Sequence, residues 1–373
     1  MFLTLRSQFH AHYTRVHRLI PIIAFVCGFL FDMAILKRID EPKVMIQQAI
    51  YLLIACALMT IDLMEFKAEI NPEIKVEEEP PVGLKKLWKY REFFLHFFLG
   101  TLLNSYTIFY FKSASGITSF VFIFLLVAVL TISEFRRFGK SQHQVHMGLW
   151  SLCLISYFQS LIPILIGSIG VLVFLASGLV SILVFSFYYK IILRKFNLEA
   201  DSLKKQVLYP YIMMHALFTL LYFSHAIPPV PLSVSYMGIY HKADKSEDQY
   251  ALSYTRSWQK FWQHGDETFR ARAGDTIIAF IQVFSPAKFK ENLQVKWSFY
   301  DPKLGWQAHD TIPLTVTGGR EEGYRAVVRK SNYEPGKWRV QIETSRNDEI
   351  GRIGFTVVTD ESTEERIFYT DLK

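Results

Sequence analysis

Polar side chains that could do chemistry inside a membrane occur at three positions within long apolar runs of this 373-residue chain. His215 lies near the middle of one run, and Asn104 and Gln159 lie well inside two others. Polar groups are expensive in hydrocarbon, so such residues mark an interhelical hydrogen bond, a transport path or a proton relay. For His215 a structural hydrogen bond is favoured, because no carboxylate at matching depth is obvious in the sequence.

Two histidines one helical turn apart, His143 and His146, stand at the start of another apolar run, with Glu134 nearby. These three side chains could together bind a divalent metal ion. Two histidines at i and i+3 without a fixed third ligand are nevertheless a weak pattern, and interfacial histidines are the favoured interpretation. The sequence therefore predicts no metal and no cofactor.

The C-terminal part holds two acid–histidine clusters, HGDE at 264–267 and AHD at 308–310. Both adjoin turn-forming residues, and the ordinary polarity of loops accounts for them. The sequence contains no nucleophile elbow, zinc-protease motif, phosphate-binding glycine loop or cysteine pair. Catalysis in this part therefore has no positive support.

A recognition surface is predicted around the stretch TGGREEGYR, whose glycines suit a tight turn with positive φ. Arg320, Tyr324 and Arg325 would lie beside that turn, and Trp306, next to Gly305, is expected to be exposed. Aromatic and arginine side chains are common anchors of recognition surfaces. Structural salt bridges at the turn are an equally good explanation of the arginines.

Seven apolar runs in the first 230 residues are the elements that must position the membrane residues. A helix needs roughly 17–25 apolar residues to cross a bilayer, and the backbone in lipid must be helical. The runs are Leu19–Leu36, Val44–Phe66, Phe93–Phe111, Ile117–Phe135, His146–Ile166, Ile169–Ile192 and Val207–Ile227. The sequence predicts a membrane helix bundle of about seven transmembrane helices over 1–231, with six to eight left open.

The orientation of this bundle follows from the Lys and Arg residues of its loops. With seven spans, the N-terminal tail and three loops on its side hold seventeen Lys and Arg residues, and the opposite loops hold four. Cytoplasmic loops carry the excess of these residues. The N-terminus is therefore predicted in the cytoplasm and the C-terminal domain on the opposite, extracytoplasmic side of the membrane.

The segment that leaves the seventh run is rich in proline, with Pro228, Pro229 and Pro231. Proline cannot continue a helix and restricts the preceding residue, so a stiff extended exit is expected. Residues 232–275 are predicted to be a connector with an amphipathic aromatic segment around Trp258 and Trp262. That segment would lie at the membrane surface or, as is favoured, pack on the following domain.

Residues 276–373 show the pattern of an all-β domain. Six or seven short segments have the pattern of strands, several of them alternating apolar and polar residues as in LQVKWSFY and GKWRVQIET, and turn signals separate them. The first segment, TIIAFIQVF, is apolar on both faces and reads as a central strand. An immunoglobulin-like sandwich is predicted, with a small open barrel as the alternative.

Charge and cysteine content limit the function classes. Residues 270–373 hold 16 Lys and Arg against 15 Asp and Glu, so the net charge of +7 belongs mainly to the loops of the bundle. The basic pI of 9.1 thus reflects topology and does not predict nucleic-acid binding. Cys27, Cys56 and Cys153 all lie in predicted spans, so the β-domain is expected to fold without disulfides.

Three motifs, TGGREEGYR, EPGKWRVQIET and IGRIGFTVV, follow the exit LLYFSHAIPPVPLS in this order. This series of motifs resembles that of a bacterial family of multi-helix membrane proteins whose C-terminal β-rich domain has no known function. The resemblance covers roughly Tyr209 to Val358. It implies a bacterial inner-membrane protein, and it implies no activity.

These observations favour a non-enzymatic membrane protein whose β-domain binds an envelope ligand or a protein partner. One alternative is a transporter or channel lined by Asn104, Gln159 and His215. Another is a membrane enzyme acting on lipid or cell-wall precursors. The expected partners are membrane lipids and an envelope protein or polymer, without nucleic acid, and the oligomeric state is not predicted.

Overall fold

The fold is a bundle of helices followed by a domain of strands. The computed structural model describes residues 38–70, 91–115, 117–135, 142–195, 200–260, 262–319 and 323–373. Its helices are α1 Pro42–Ile70, α2 Arg91–Lys112, α3 Ile117–Phe135, α4 Gln142–Ile166, α5 Val171–Lys195, α6 Ala200–Leu203 and α7 Tyr209–Phe223. A π-helical turn, Lys204–Leu208, joins α6 to α7.

Five stretches of helix in the described residues are long and apolar enough to cross a membrane: Pro42–Leu63, Phe94–Lys112, His143–Ile166, Val171–Arg194 and Asp201–Phe223. In α3 the corresponding apolar stretch is shorter, Ser119–Val129. Six of the seven predicted runs thus coincide with helices. The first run, Leu19–Leu36, lies outside the described residues, so the count of seven is not confirmed.

Helix α4 is the centre of the bundle and packs against α1, α2, α5 and α7. The indole Nε1 of Trp150 on α4 donates a hydrogen bond of 3.0 Å to the carbonyl of Leu52 on α1. The ring of Phe185 on α5 stacks on that of Tyr211 on α7, with centroids 3.6 Å apart. Aromatic packing and interhelical hydrogen bonds therefore hold the central helices together, as expected where lipid supplies no hydrophobic force between helices.

Eleven strands follow within the described residues. They are β1 Ser233–Tyr240, β2 Lys242–Ser246, β3 Gln249–Tyr254, β4 Thr268–Ala271, β5 Ile277–Phe284, β6 Lys290–Asp301, β7 Gly305–Thr317, β8 Tyr324–Lys330, β9 Gly336–Thr344, β10 Glu349–Thr359 and β11 Tyr369–Leu372. They form a three-stranded sheet β1-β5-β8, a five-stranded sheet β4-β10-β9-β6-β7 and a three-stranded sheet β11-β3-β2. All pairs are antiparallel except β4 with β10.

The first two sheets form a sandwich around one apolar core. Ile281 of β5 meets Trp297 of β6 and Trp338 of β9 in this core, and all three side chains are at most 1% exposed. The third sheet covers the other face of β5, where Phe280 is fully buried. The predictions of a central β5 covered on both faces and of a β-rich C-terminal domain are therefore confirmed.

The segment 232–275 differs from the predicted connector. It contributes β1 to β4, and β1 pairs with β5 along almost its whole length. In place of an amphipathic helix there is one turn of 3₁₀ helix, Trp258–Lys260, and Trp262 after it is 63% exposed. The reason is that β5, which is apolar on both faces, needs a neighbouring strand and a covering sheet, and this segment supplies both.

The proline-rich exit also differs from the expected extended chain. The amide of Leu232 donates to the carbonyl of Pro229 at 3.1 Å, so the chain turns after the end of α7. Ala226, Ile227 and Val230 are buried against the helices. Burial of these apolar side chains favours a turn that returns to the bundle over a rigid spacer.

Candidate functional site

One face of the five-stranded sheet points away from the sandwich core. Along β6 and β9 every second residue enters the core, so Ser298 and Tyr300 of β6 and Arg339 and Gln341 of β9 lie on the opposite face. The register pairs Tyr300 with Trp306 of β7. We call this surface of β4-β10-β9-β6-β7 the outward face.

Two exposed aromatic rings and an arginine meet on the outward face. Trp306 and Tyr300 are each 38% exposed, and their rings meet edge to face with centroids 5.2 Å apart. The guanidinium of Arg339 lies over the Trp306 ring, 4.4 Å from its centroid. Burial and the neighbouring charge of Arg352 lower the pKa of Arg339. The group therefore combines apolar surface with a partly desolvated cation, as in the anchors of protein interfaces.

A carboxylate network borders this aromatic group. The guanidinium of Arg352 donates to both oxygens of Glu349, at 2.7 and 2.5 Å, and the Gln341 side chain donates at 2.5 Å. The hydroxyl of Ser115, between α2 and α3, donates to the same carboxylate at 2.6 Å. Burial opposes the charge of Glu349, but these hydrogen bonds outweigh it and lower its pKa. Glu349 thus connects the outward face to the bundle.

Three polar atoms of the outward face are buried and have no hydrogen-bond partner among the described residues. They are Ser298 Oγ, Arg339 Nε and Gln341 Oε1. Ser298 and Arg339 are paired across the strands, and Gln341 lies two residues further along β9. Buried polar atoms are normally paired. One donor and two acceptors therefore remain unsatisfied beneath the surface of the outward face.

The structure does not bring the predicted recognition residues together. Trp306 lies on the outward face, whereas Tyr324 and Arg325 begin β8 in the other sheet of the sandwich. Tyr324 packs partly into the core, and Arg325 donates to the carbonyl of Asp248 in the turn between β2 and β3. Arg320 lies outside the described residues. Of the three described residues of this set, Trp306 alone belongs to the outward face.

The three membrane residues lie on three different helices. Gln159 on α4 donates from Nε2 to the carbonyl of Phe174 on α5 at 3.1 Å. His215 on α7 faces Gly178 of α5, where an added Cβ would lie 3.4 Å from His215 Nε2. Asn104 is half-buried on α2. Gln159 thus makes an interhelical hydrogen bond, and Gly178 leaves the space that the His215 ring needs.

A cavity of about 150 Å³ lies where the β-domain meets the helix ends. We call it the junction cavity. Its lining residues come from α2, α4, α5, α7, the exit segment, β6 and the β9–β10 turn, and they include Tyr110, Gln159, Phe174, Tyr222, Glu291, Arg346 and Asp348. Sequence reasoning singled out only Gln159 among them, because the cavity is assembled from seven separate segments.

The acid–histidine clusters are built differently from each other. Asp266 is 2% exposed and lies 3.4 Å from Nε2 of His241, whereas His264 packs against the ring of Tyr236. In the other cluster His309 stands beside Lys330, whose ammonium is 3.1 Å from His309 Nδ1 and pairs with Asp310. Asp266 and His241 are thus buried in the β-domain, whereas His309 and Asp310 are exposed and only the Lys330 side chain between them and the core is buried. The described residues contain no group of three or more metal-ligand side chains.

Comparison with solved structures yields distant likenesses. An immunoglobulin-like protein from Pseudomonas aeruginosa matches 35% of this chain and 98% of its own length, at 12% identity and a TM-score of 0.22. A β-glucosidase from Listeria innocua matches over 33% of this chain and 16% of its own, at 12% identity and a TM-score of 0.20. The alkylpurine DNA glycosylase AlkC from Pseudomonas fluorescens covers 86% of this chain, at 10% identity and a TM-score of 0.21. At these TM-scores the likenesses support no functional argument.

Sequence comparison is more specific at one place in the chain. No curated protein matches it. Residues 290–357 match the family described as a protein of unknown function, DUF2914. These residues run from the start of β6 into β10 and carry the outward face and Glu349. The C-terminal part of this chain is therefore similar to a domain of unknown function.

Proposed function

We propose that this chain is a membrane-anchored binding protein whose β-domain recognises an envelope protein or polymer through its outward face. The observation that carries the proposal is the exposed stack of Arg339 on Trp306, with Tyr300 beside it and unpaired polar atoms at its base. Aromatic rings and arginine anchor binding surfaces because they bury large apolar area while retaining polar contacts.

The location of the domain supports an extracytoplasmic partner. The β-domain contacts the bundle at Ser115 and Ile169 and just after α7, in segments with few Lys or Arg residues. Loops poor in these residues lie on the non-cytoplasmic side of membrane proteins. We place the β-domain in the periplasm of a bacterial cell and the helices in the inner membrane.

The test uses the full-length chain in the membrane of expressing cells. A photoreactive amino acid replaces Lys337, which is exposed and whose ammonium lies 6.0 Å from the Tyr300 ring. The same label at the exposed Arg329, on β8 of the other sheet, is the positional control. We expect a discrete adduct from position 337 and not from position 329.

A second substitution tests the anchor itself. Removal of a central aromatic anchor weakens binding by about 2 kcal/mol or more. Trp306→Ala should therefore reduce the adduct at position 337 by roughly 30-fold. Trp262→Ala removes another exposed tryptophan, away from the outward face, and should leave the adduct unchanged. Equal effects of the two substitutions, or equal adducts from both labels, would contradict the proposal.

A further inference from the structure

The junction cavity contains a carboxylate, Glu291, that pairs with no cation of the described residues. Glu291 of β6 accepts a hydrogen bond of 2.5 Å from the backbone amide of Ile169. It makes no ion pair within the described part of the chain, and burial raises its pKa. A half-buried carboxylate with only amide partners attracts a positively charged group.

The other charges of the cavity wall already compensate one another. Arg346 lies over the Tyr222 ring at 4.0 Å, and its Nε is 3.6 Å from Asp348. The other oxygen of Asp348 is 2.5 Å from Nδ1 of His225. Arg346 and Asp348 therefore form a paired wall, and Glu291 carries the net negative charge of the cavity.

The rest of the lining suits an organic cation better than a metal ion. Tyr110, Phe174, Phe218 and Tyr222 contribute aromatic surface, which attracts ammonium groups. Gln159 uses its Nε2 as a donor to the Phe174 carbonyl, so its Oε1 can accept from a ligand. A volume of about 150 Å³ corresponds to roughly five water molecules, which is the size of a small amine head.

We propose that the junction cavity binds a primary ammonium group, held by the Glu291 carboxylate and the Gln159 carbonyl against the aromatic wall. The ammonium comes from the headgroup of an aminolipid or from a small soluble amine. The position of the cavity at the helix ends, where lipid headgroups lie, favours the lipid. This site is separate from the outward face, so the test of amine binding is independent of the test of the proposed function.

The experiment measures amine binding by the full-length chain purified in detergent. One arm offers equal amounts of phosphatidylethanolamine and phosphatidylglycerol, and native mass spectrometry counts the retained lipids. The other arm titrates ethanolamine and follows its binding by ligand-observed NMR. We expect the chain to retain phosphatidylethanolamine in preference to phosphatidylglycerol, to bind ethanolamine saturably, or to do both. The arm in which binding is observed identifies the source of the ammonium group.

The matched variant is Glu291→Gln, which keeps the acceptor for the Ile169 amide and removes the charge. Loss of one charge-assisted hydrogen bond should weaken amine binding by about tenfold or more. Glu334→Gln removes an exposed carboxylate from the loop before β9 and should change nothing. A second variant, Val173→Phe, fills the cavity from α5 and should also abolish amine binding.

The proposal is overturned if neither arm shows amine preference in the wild type. It is equally overturned if Glu291→Gln and Val173→Phe both bind amine as the wild type does. Far-ultraviolet circular dichroism of each variant shows whether the fold is kept. If one variant loses the fold, the other decides the outcome.

Discussion

His241 is a buried, uncharged histidine that makes the stability of the β-domain depend on pH. Its side chain is 3% exposed, between the carboxylates of Asp266 at 3.4 Å and Asp275 at 3.9 Å, and its ring stacks on Phe269. Burial and the charge of Arg366 lower its pKa to about 4. Between that value and about 6.5 the unfolded chain binds a proton that the folded chain does not.

The folded state should therefore lose stability as the pH falls from 6.5 to 4, by roughly 3 kcal/mol at most from this group. His241→Gln cannot take up the proton, so its stability should depend less on pH over the same window. The measurement is amide exchange of the buried strand β5 in the full chain at several pH values, corrected for intrinsic rates. Parallel pH profiles of variant and wild type would exclude His241 as the cause.

Among single residues, the sequence predicts the exposure of Trp306, but it does not predict that the Arg339 guanidinium stacks on the Trp306 ring. An arginine at an outward position of an alternating strand is ordinarily a solvated charge. Its stacking on Trp306 depends on the registers of β6 with β7 and with β9, which no local pattern contains. The sequence instead predicts Arg320 and Arg325 as recognition residues, because they lie beside a glycine-rich turn that a local pattern reveals.

Among the elements, the α4–α5 hairpin controls how closely the bundle approaches the β-domain. Gly167 ends α4 with a φ of +81°, and its carbonyl accepts from the amide of Lys290 at 3.2 Å. A Cβ at this position would lie 2.5 Å from the backbone oxygen of Lys288. The substitution Gly167→Ala must therefore move the hairpin away from β6.

Gly274 supplies a matched control for that substitution. Its φ of +87° gives the same left-handed strain, but a Cβ there meets nothing within 4 Å. We expect Gly274→Ala to destabilise the chain by about 1 kcal/mol through backbone strain alone. Gly167→Ala should in addition speed amide exchange at Lys290 by at least about tenfold, since its hydrogen bond to the hairpin is lost. Equal exchange at Lys290 in both variants would show that the contact is unimportant.

The elements themselves were predictable to different degrees. Long apolar runs predict six helices, a short segment that is apolar on both faces predicts β5, and alternation predicts strands such as β6 and β9, because each of these signals is contained within one segment. Strand β1 escaped prediction because it carries tyrosines, serines and a glycine, and it is specified by pairing with β5. The exit segment escaped for a similar reason, since its turn depends on burial of Ile227 and Val230 against helices that come earlier in the chain.

Across the whole molecule, the turn between β9 and β10 joins the outward face to the bundle. Arg346 in this turn stacks on Tyr222 and donates at 3.3 Å to the Tyr222 carbonyl, one of the last of α7. Carbonyls in the last turn of a helix lack the usual amide partner four residues on; the Tyr222 carbonyl accepts from the His225 amide at 3.1 Å, and Arg346 adds a second hydrogen bond at this end of α7. Glu349 at the end of the same turn bonds both Ser115 and Arg352. The β9–β10 turn therefore contacts the end of α7 through Arg346, and Glu349 next to it contacts the segment between α2 and α3.

Arg346→Ala should consequently loosen the end of α7 in the intact chain. Loss of a charge-assisted hydrogen bond and of the stack on Tyr222 should speed amide exchange at Ser224 and Ala226 by about tenfold or more. Arg339→Ala removes a comparable stack on an aromatic ring, but on the outward face, and should leave these amides unchanged. If both variants exchange alike at the end of α7, Arg346 does not hold this end of the helix in place, and the remaining contacts, Asp348 with His225, Glu349 with Ser115 and Glu291 with Ile169, must join the two parts instead.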